Sequence, residues 1–101
     1  MNKELDDALC IKYPKIFAQR NWDKMDTCMC WGFECGDGWY DLLDTLCHSI
    51  QTYLDAHELP QVVATQVKSK FGELRFYVDG GDRFTDGLIT FAENISTKIK
   101  E

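Results

Sequence analysis

Three thiols and two indoles crowd into residues 28 to 40, CMCWGFECGDGWY. Thiolates and imidazoles ligate metals, and Cys28, Cys30 and Cys35, with Cys47 and His48 further on, supply enough donors for a tetrahedral zinc site. The spacing argues against it. Structural zinc knuckles place two to four residues between paired cysteines, whereas Cys28 and Cys30 have one between them, which on a strand puts both on one face but several ångströms apart. On a helix, Cys47 shares the side of Leu43 and Ile50, while His48 is turned by about 100° toward Asp41 and Asp44. A cysteine nucleophile would need His48 or His57 within hydrogen-bond reach and an oxyanion hole nearby, and nothing local provides either. Free cysteine is among the most buried residue types, so the five cysteines read as small core hydrophobes, with no metal and no cofactor expected.

A second constellation lies in QVVATQVKSKFGELRFYVDGG. Its β-branched and aromatic residues flank a Lys-Phe-Gly turn, the pattern of a β-hairpin in which Gly72 supplies the unusual backbone angles. The two-residue period assigns Leu74, Phe76 and Val78 to one face of the second strand and Glu73, Arg75, Tyr77 and Asp79 to the other. Gln66 and Lys68 should lie across from Arg75 and Tyr77. Cations bind phosphate or carboxylate and an aromatic ring stacks or covers an apolar partner, so this outer face is a candidate binding surface. Trp31 and Tyr40 are candidate walls for it. The plainer alternative is a solvated sheet face with Arg75 paired to Glu73 or Asp79.

These side chains need a scaffold. Leu5, Ala8, Leu9 and Tyr13 predict an opening helix limited by Pro14, after which Ile16 and Phe17 anchor a short turn. Trp39, Leu42, Leu43, Leu46, Ile50, Tyr53 and Leu54 predict a long amphipathic helix from about Gly38 to Ala56, with Asp37 as its N-cap and Pro60 beyond its end. Gly36 and Gly38 are expected to permit a tight reversal before it, and Trp39 to be its first core anchor. Asp82 or Thr85 should cap a last helix whose Leu88, Phe91, Ala92, Ile95 and Ile99 face inward. A lone hairpin is marginal, so TCMCWGF at 27 to 33 is assigned a third, edge strand whose cysteines are mostly buried. The expected fold is α+β, a small antiparallel sheet packed against the long helix and flanked by N- and C-terminal helices. One domain over residues 1–101 accounts for the length.

Charge is unevenly spread. The chain carries −6 in total, but residues 23 to 58 hold eight acids against Lys24 alone, a net −7, so nucleic-acid phosphate should be repelled there. Residues 61 to 78 reverse the sign, with Lys68, Lys70 and Arg75 against Glu73. The charged start MNKELDDALC and the short apolar runs predict neither signal peptide nor membrane span, hence no membrane partner and a cytoplasmic location. An odd cysteine count without a secretory signal predicts free thiols.

Taken together, GFECGDGWYDLLDTLC, QVVATQVKSKFGELRFYVDGG and the later AENIS resemble a group of small, functionally uncharacterised proteins of tailed bacteriophages and prophages, over about residues 9 to 97. Longer members continue into a Cys-x-x-Cys-Gly tail like half of a zinc site; this chain ends STKIKE instead. The resemblance implies a non-enzymatic binding protein acting in the cytoplasm of the infected host cell, where it counteracts a defence system by binding a host protein. An acidic surface covering a basic host protein is one mechanism. Capture of a small phosphorylated, nucleotide-like signal in the pocket of a homo-oligomer is an alternative, and a metal- or thiol-dependent enzyme is a third.

Overall fold

The computed structural model describes residues 1–101. It is α+β, with helices α1 (Lys3–Lys12), α2 (Tyr40–Ala56) and α3 (Arg83–Ser96) and a sheet in the order β1 (Phe33–Glu34), β2 (Val63–Lys70), β3 (Glu73–Asp79). The sheet is mixed rather than antiparallel, because β1 runs parallel to β2, pairing Phe33 with Val67 and Glu34 with Lys68. Connectivity explains the direction. The 17 residues of α2, about 26 Å of helix, carry the chain back to the end of the sheet from which β1 started, the usual crossover between parallel strands. The strand expected at 27 to 33 is also shorter and later: Met29–Trp31 is a 3-10 turn that ends at Gly32, whose φ of 75° reverses the chain, and only then do Phe33 and Glu34 join the sheet.

The hairpin of β2 and β3 closes through Phe71 and Gly72, both left-handed with φ of 55° and 79°. Two consecutive positive φ angles define the primed turn whose twist suits a two-residue hairpin. A bulge between Ala64 and Gln66 then solves a phase problem. Strict alternation would turn Ala64, Gln66 and Lys68 to the same face; the extra residue lets Ala64 and Val67 both enter the core while Gln66 and Lys68 face away.

On the free side of β3 lies α3. Ser96 Oγ accepts from Leu74 N at 2.9 Å and Glu93 Oε2 from Phe76 N at 3.0 Å, so the helix pairs edge amides that would otherwise invite another strand. This task fixes the helix's rotation. Its buried stripe is Thr85, Ile89, Ala92 and Ser96, leaving Leu88 and Ile95 half-buried, Phe91 65% exposed and Ile99 beyond the helix end. The expected inward Phe91 and Ile99 are thus corrected: hydroxyl and carboxylate groups were needed against the strand edge. Asp82 and Thr85 share the cap as a reciprocal capping box.

The GDGW elbow is built differently from expectation. Asp37–Trp39 is a 3-10 turn, α2 begins at Tyr40, and no side chain caps it. Asp37 instead accepts from Asn2 through both carboxylate oxygens, at 2.7 Å from N and 3.0 Å from Nδ2, so it ties down the start of α1. Gly38 answers a close approach, since a Cβ there would collide with the carbonyl of Lys100; at Gly36, with an ordinary φ of −78°, a Cβ would sit 2.7 Å from Glu101. Trp39, fully buried, donates from Nε1 to the carbonyl of Ile99 at 2.9 Å. It joins Leu43, Ile50, Leu74, Val62 and Val67 in one buried cluster.

Candidate binding site

The hairpin register places Gln66 opposite Tyr77 and Lys68 opposite Arg75, so the four candidate residues share the outer face. Lys68 Nζ lies 5.9 Å from the centroid of the Tyr77 ring, within cation–π range. Arg75 is already engaged. Its Nη1 donates to Glu73 Oε1 at 2.6 Å, and this bond holds the guanidinium above its ordinary pKa. The arginine therefore meets a ligand as half of an ion pair, while Tyr77, 43% exposed, and Lys68 remain accessible.

Beside Tyr77 and Gln66 opens a cleft of about 800 Å³. Its far wall is Trp22, Met25 and Cys28, from the loop between α1 and β1. Trp22 and Met25 were not among the residues anticipated, Cys28 was anticipated only as a metal donor or a buried thiol, and Trp31 and Tyr40 do not line the cleft. Trp31 is exposed on its 3-10 turn, and Tyr40 packs on the core at the start of α2, within electrostatic reach of Lys12 and Tyr13. One signal for the missed wall is present in the sequence: in RNWDKMD, a tryptophan and a methionine stand among charges with no helical or strand period to bury them.

The loop is held in place by polar bonds. Asp23 folds it back, its carbonyl accepting from Asp26 N at 2.9 Å and its carboxylate from Met25 N at 3.0 Å. Thr27, buried, donates to Gln19 Oε1 at 2.5 Å and accepts from Met29 N at 3.1 Å. Behind it, the buried Asp6 accepts from Arg20 Nε at 3.0 Å and from Phe33 N at 3.1 Å, while Arg20 Nη1 donates to the carbonyl of Cys30 at 2.8 Å. The ion pair raises the pKa of Arg20 and joins α1, the loop and β1. Two apolar residues are thereby displayed on an ordered backbone.

The thiols divide into two sets. Burial pushes the pKa of Cys10 up to about 12 and that of Cys35 up to about 11, and it raises Cys47 too. A thiol held protonated is a poor nucleophile and a poor metal ligand. Cys28 is exposed in the cleft and Cys30 half-buried, so the expectation that this stretch hides most of its cysteines holds only for Cys35; the 3-10 turn gives the first two no strand face to bury. No three His, Cys, Asp or Glu side chains converge on one point. Cys47 is fully buried, whereas His48 and His57 are exposed. No helix is long and apolar enough to cross a membrane. In comparisons with known proteins, no family model matches the chain, and neither a curated protein nor a solved structure matches it significantly.

Proposed function

We propose that this chain is a small, non-enzymatic, phage-encoded binding protein that acts in the cytoplasm of the infected host and blunts a defence system by docking on a host protein. The observation that carries the reading is the grouping of Trp22, Met25 and Tyr77 around one open cleft, with aromatic and methionine side chains of the kind enriched at protein interfaces. On this reading α2, apolar on one side and polar on the other, backs the sheet whose outer face carries the cleft. Polar groups around it, Gln66, Lys24 and Asp26, supply an orienting rim.

Cleft charge favours a protein over a phosphorylated signal. Lys24 is offset by Asp26 and Asp79 within the lining, and Arg75 is neutralised by Glu73. Lys24 and Lys68 make no ion pair, but the acids of the lining outnumber its one cation, which disfavours a phosphate. Burial holds Cys35 and Cys47 in the inert protonated form, and no histidine lines the cleft beside the exposed Cys28 to act as its base.

A bacterial strain carrying a defence operon, challenged with a sensitive phage while it expresses this chain, provides the test. Plating efficiency should recover with the natural sequence, and Trp22→Ala combined with Tyr77→Ala should abolish the recovery while leaving the far-ultraviolet spectrum and unfolding midpoint close to those of the parent. Undiminished recovery by the double variant would overturn the cleft as the docking site.

A further inference from the structure

Two carboxylates line the cleft, one on each wall. Asp79 closes β3 on the strand side, and Asp26 lies in the loop that carries Trp22 and Met25. Both are exposed, and neither enters an ion pair within the chain. The alternation that turns Tyr77 outward also turns Asp79 outward, so a ring and a carboxylate share the strand wall. On the loop wall, Trp22 is 50% exposed and Met25 84%.

Charge selects what enters. Within the lining, Asp26 and Asp79 stand against Lys24, a net −1. The surroundings never reverse that sign. In the loop and beneath it, Asp23, Asp26 and the buried Asp6 oppose Arg20 and Lys24; on β1 and the hairpin, Glu34, Glu73 and Asp79 oppose Lys68, Lys70 and Arg75. The first turns of α3 add Asp82, Asp86 and Glu93 against Arg83, and Lys15 lies with Asp55 in a separate hollow. No wall is net positive, and the chain as a whole carries −6. A cationic group is therefore drawn toward the cleft and an anion is not.

We infer that the cleft receives an arginine side chain of the partner protein, a reading that rests on the cleft being the docking site. A guanidinium is planar, so it lies on the ring of Trp22 or Tyr77 while its fork of N–H groups donates to a carboxylate beside the ring. Its apolar stem packs along Met25, whose thioether adapts to irregular neighbours. A lysine ammonium neither stacks nor forks, and it is more strongly hydrated. The Tyr77 ring already meets one cation, since Lys68 Nζ, outside the lining, lies 5.9 Å from its centroid. At about 800 Å³ the cleft exceeds what one side chain fills. Residues flanking the arginine enter with it, and Thr65 and Gln66, at the bulge, offer them polar groups.

The full chain, isotope-labelled for nuclear magnetic resonance and titrated with N-acetylarginine methylamide at low ionic strength, provides the test. The indole N–H resonance of Trp22 should shift saturably, with a Kd several-fold tighter than for N-acetyllysine methylamide, and inorganic phosphate should leave it in place. Asp79→Asn should weaken the arginine probe several-fold without changing the far-ultraviolet spectrum, and Lys24→Glu should tighten it. No saturable shift, equal affinity for the lysine probe, or an Asp79→Asn chain that binds as the parent does overturns the inference. The plating assay separates this from the reading beneath it. Recovery that is lost with Trp22→Ala and Tyr77→Ala but kept with Asp26→Asn and Asp79→Asn together leaves the cleft as the docking site and overturns the arginine. Arginine binding at Trp22 by a chain that restores no plating supports the arginine site and removes the anti-defence reading.

Discussion

The elbow GDGWY and the hairpin tip KFGEL each join glycine to a large aromatic residue, and the two have opposite fates. At the elbow, Gly38 has room for no side chain because the backbone of Lys100 lies against it, and Trp39 is fully buried. At the tip, Gly72 has nothing within 4 Å and serves only the positive φ of the turn, while Phe71 is wholly exposed in the same left-handed region. A glycine beside an aromatic therefore records either crowding or backbone handedness. The difference decides whether the ring stabilises the fold or is left facing solvent.

The largest effect should come from the elbow. Trp39→Ala removes a fully buried indole and its bond to Ile99, and should cost about 3–5 kcal/mol in a urea titration. An intact midpoint would show that the elbow is dispensable, and the contrast with the tip would collapse.

Next in size is an alkaline weakness to which the buried thiols contribute, alongside Tyr13, raised by burial and by its bond to Asp44. An unfolded cysteine titrates near 8.5, whereas folding lifts Cys10 to about 12 and Cys35 to about 11. The unfolded chain therefore loses protons first. Stability is fully present below about pH 8.5 and falls as pH rises through 11 to 12. In the native protein near pH 8, a thiol reagent should modify exposed Cys28 within minutes and leave Cys35 and Cys47 untouched until denaturant is added. Equal reaction of all five thiols would remove the distinction between elbow and cleft.

Smallest, and opposite in sign, is the tip. A non-glycine residue in the left-handed region costs about 1–2 kcal/mol, and Phe71 offsets none of it by burial. Phe71→Gly should raise the unfolding free energy by about 1 kcal/mol. A loss of stability would mean that the ring packs on something in solution.

The parts legible in the sequence were those set by local period. Alternation in ELRFYVD gave the hairpin's outer face and its cross-strand partners, and the 3.6-residue period around Leu43, Leu46 and Ile50 gave the buried side of α2. What escaped depends on residues far apart in the chain. Asp37 has the residue type of a helix cap but bonds to Asn2, and Asp6, to which the sequence assigned no role, is buried against Arg20 and the amide of Phe33. The bulge between Ala64 and Gln66 likewise depends on pairing with β3. Trp22 and Met25 have no periodic neighbours, so their place in the cleft rests on bonds made by Thr27 and Arg20.

Glu93 and Ser96 occupy the amides along one border of the sheet, and the opposite border strand is only two residues long. The protein thus offers little main chain to bind by strand addition. On the proposed reading, recognition would be written in side chains, and those on the outer face of the hairpin and on the cleft loop lie mostly outside the packed interior. Under that proposal, a few surface codons could change what is bound without renegotiating the fold, a useful property for any protein whose target is itself under pressure to change.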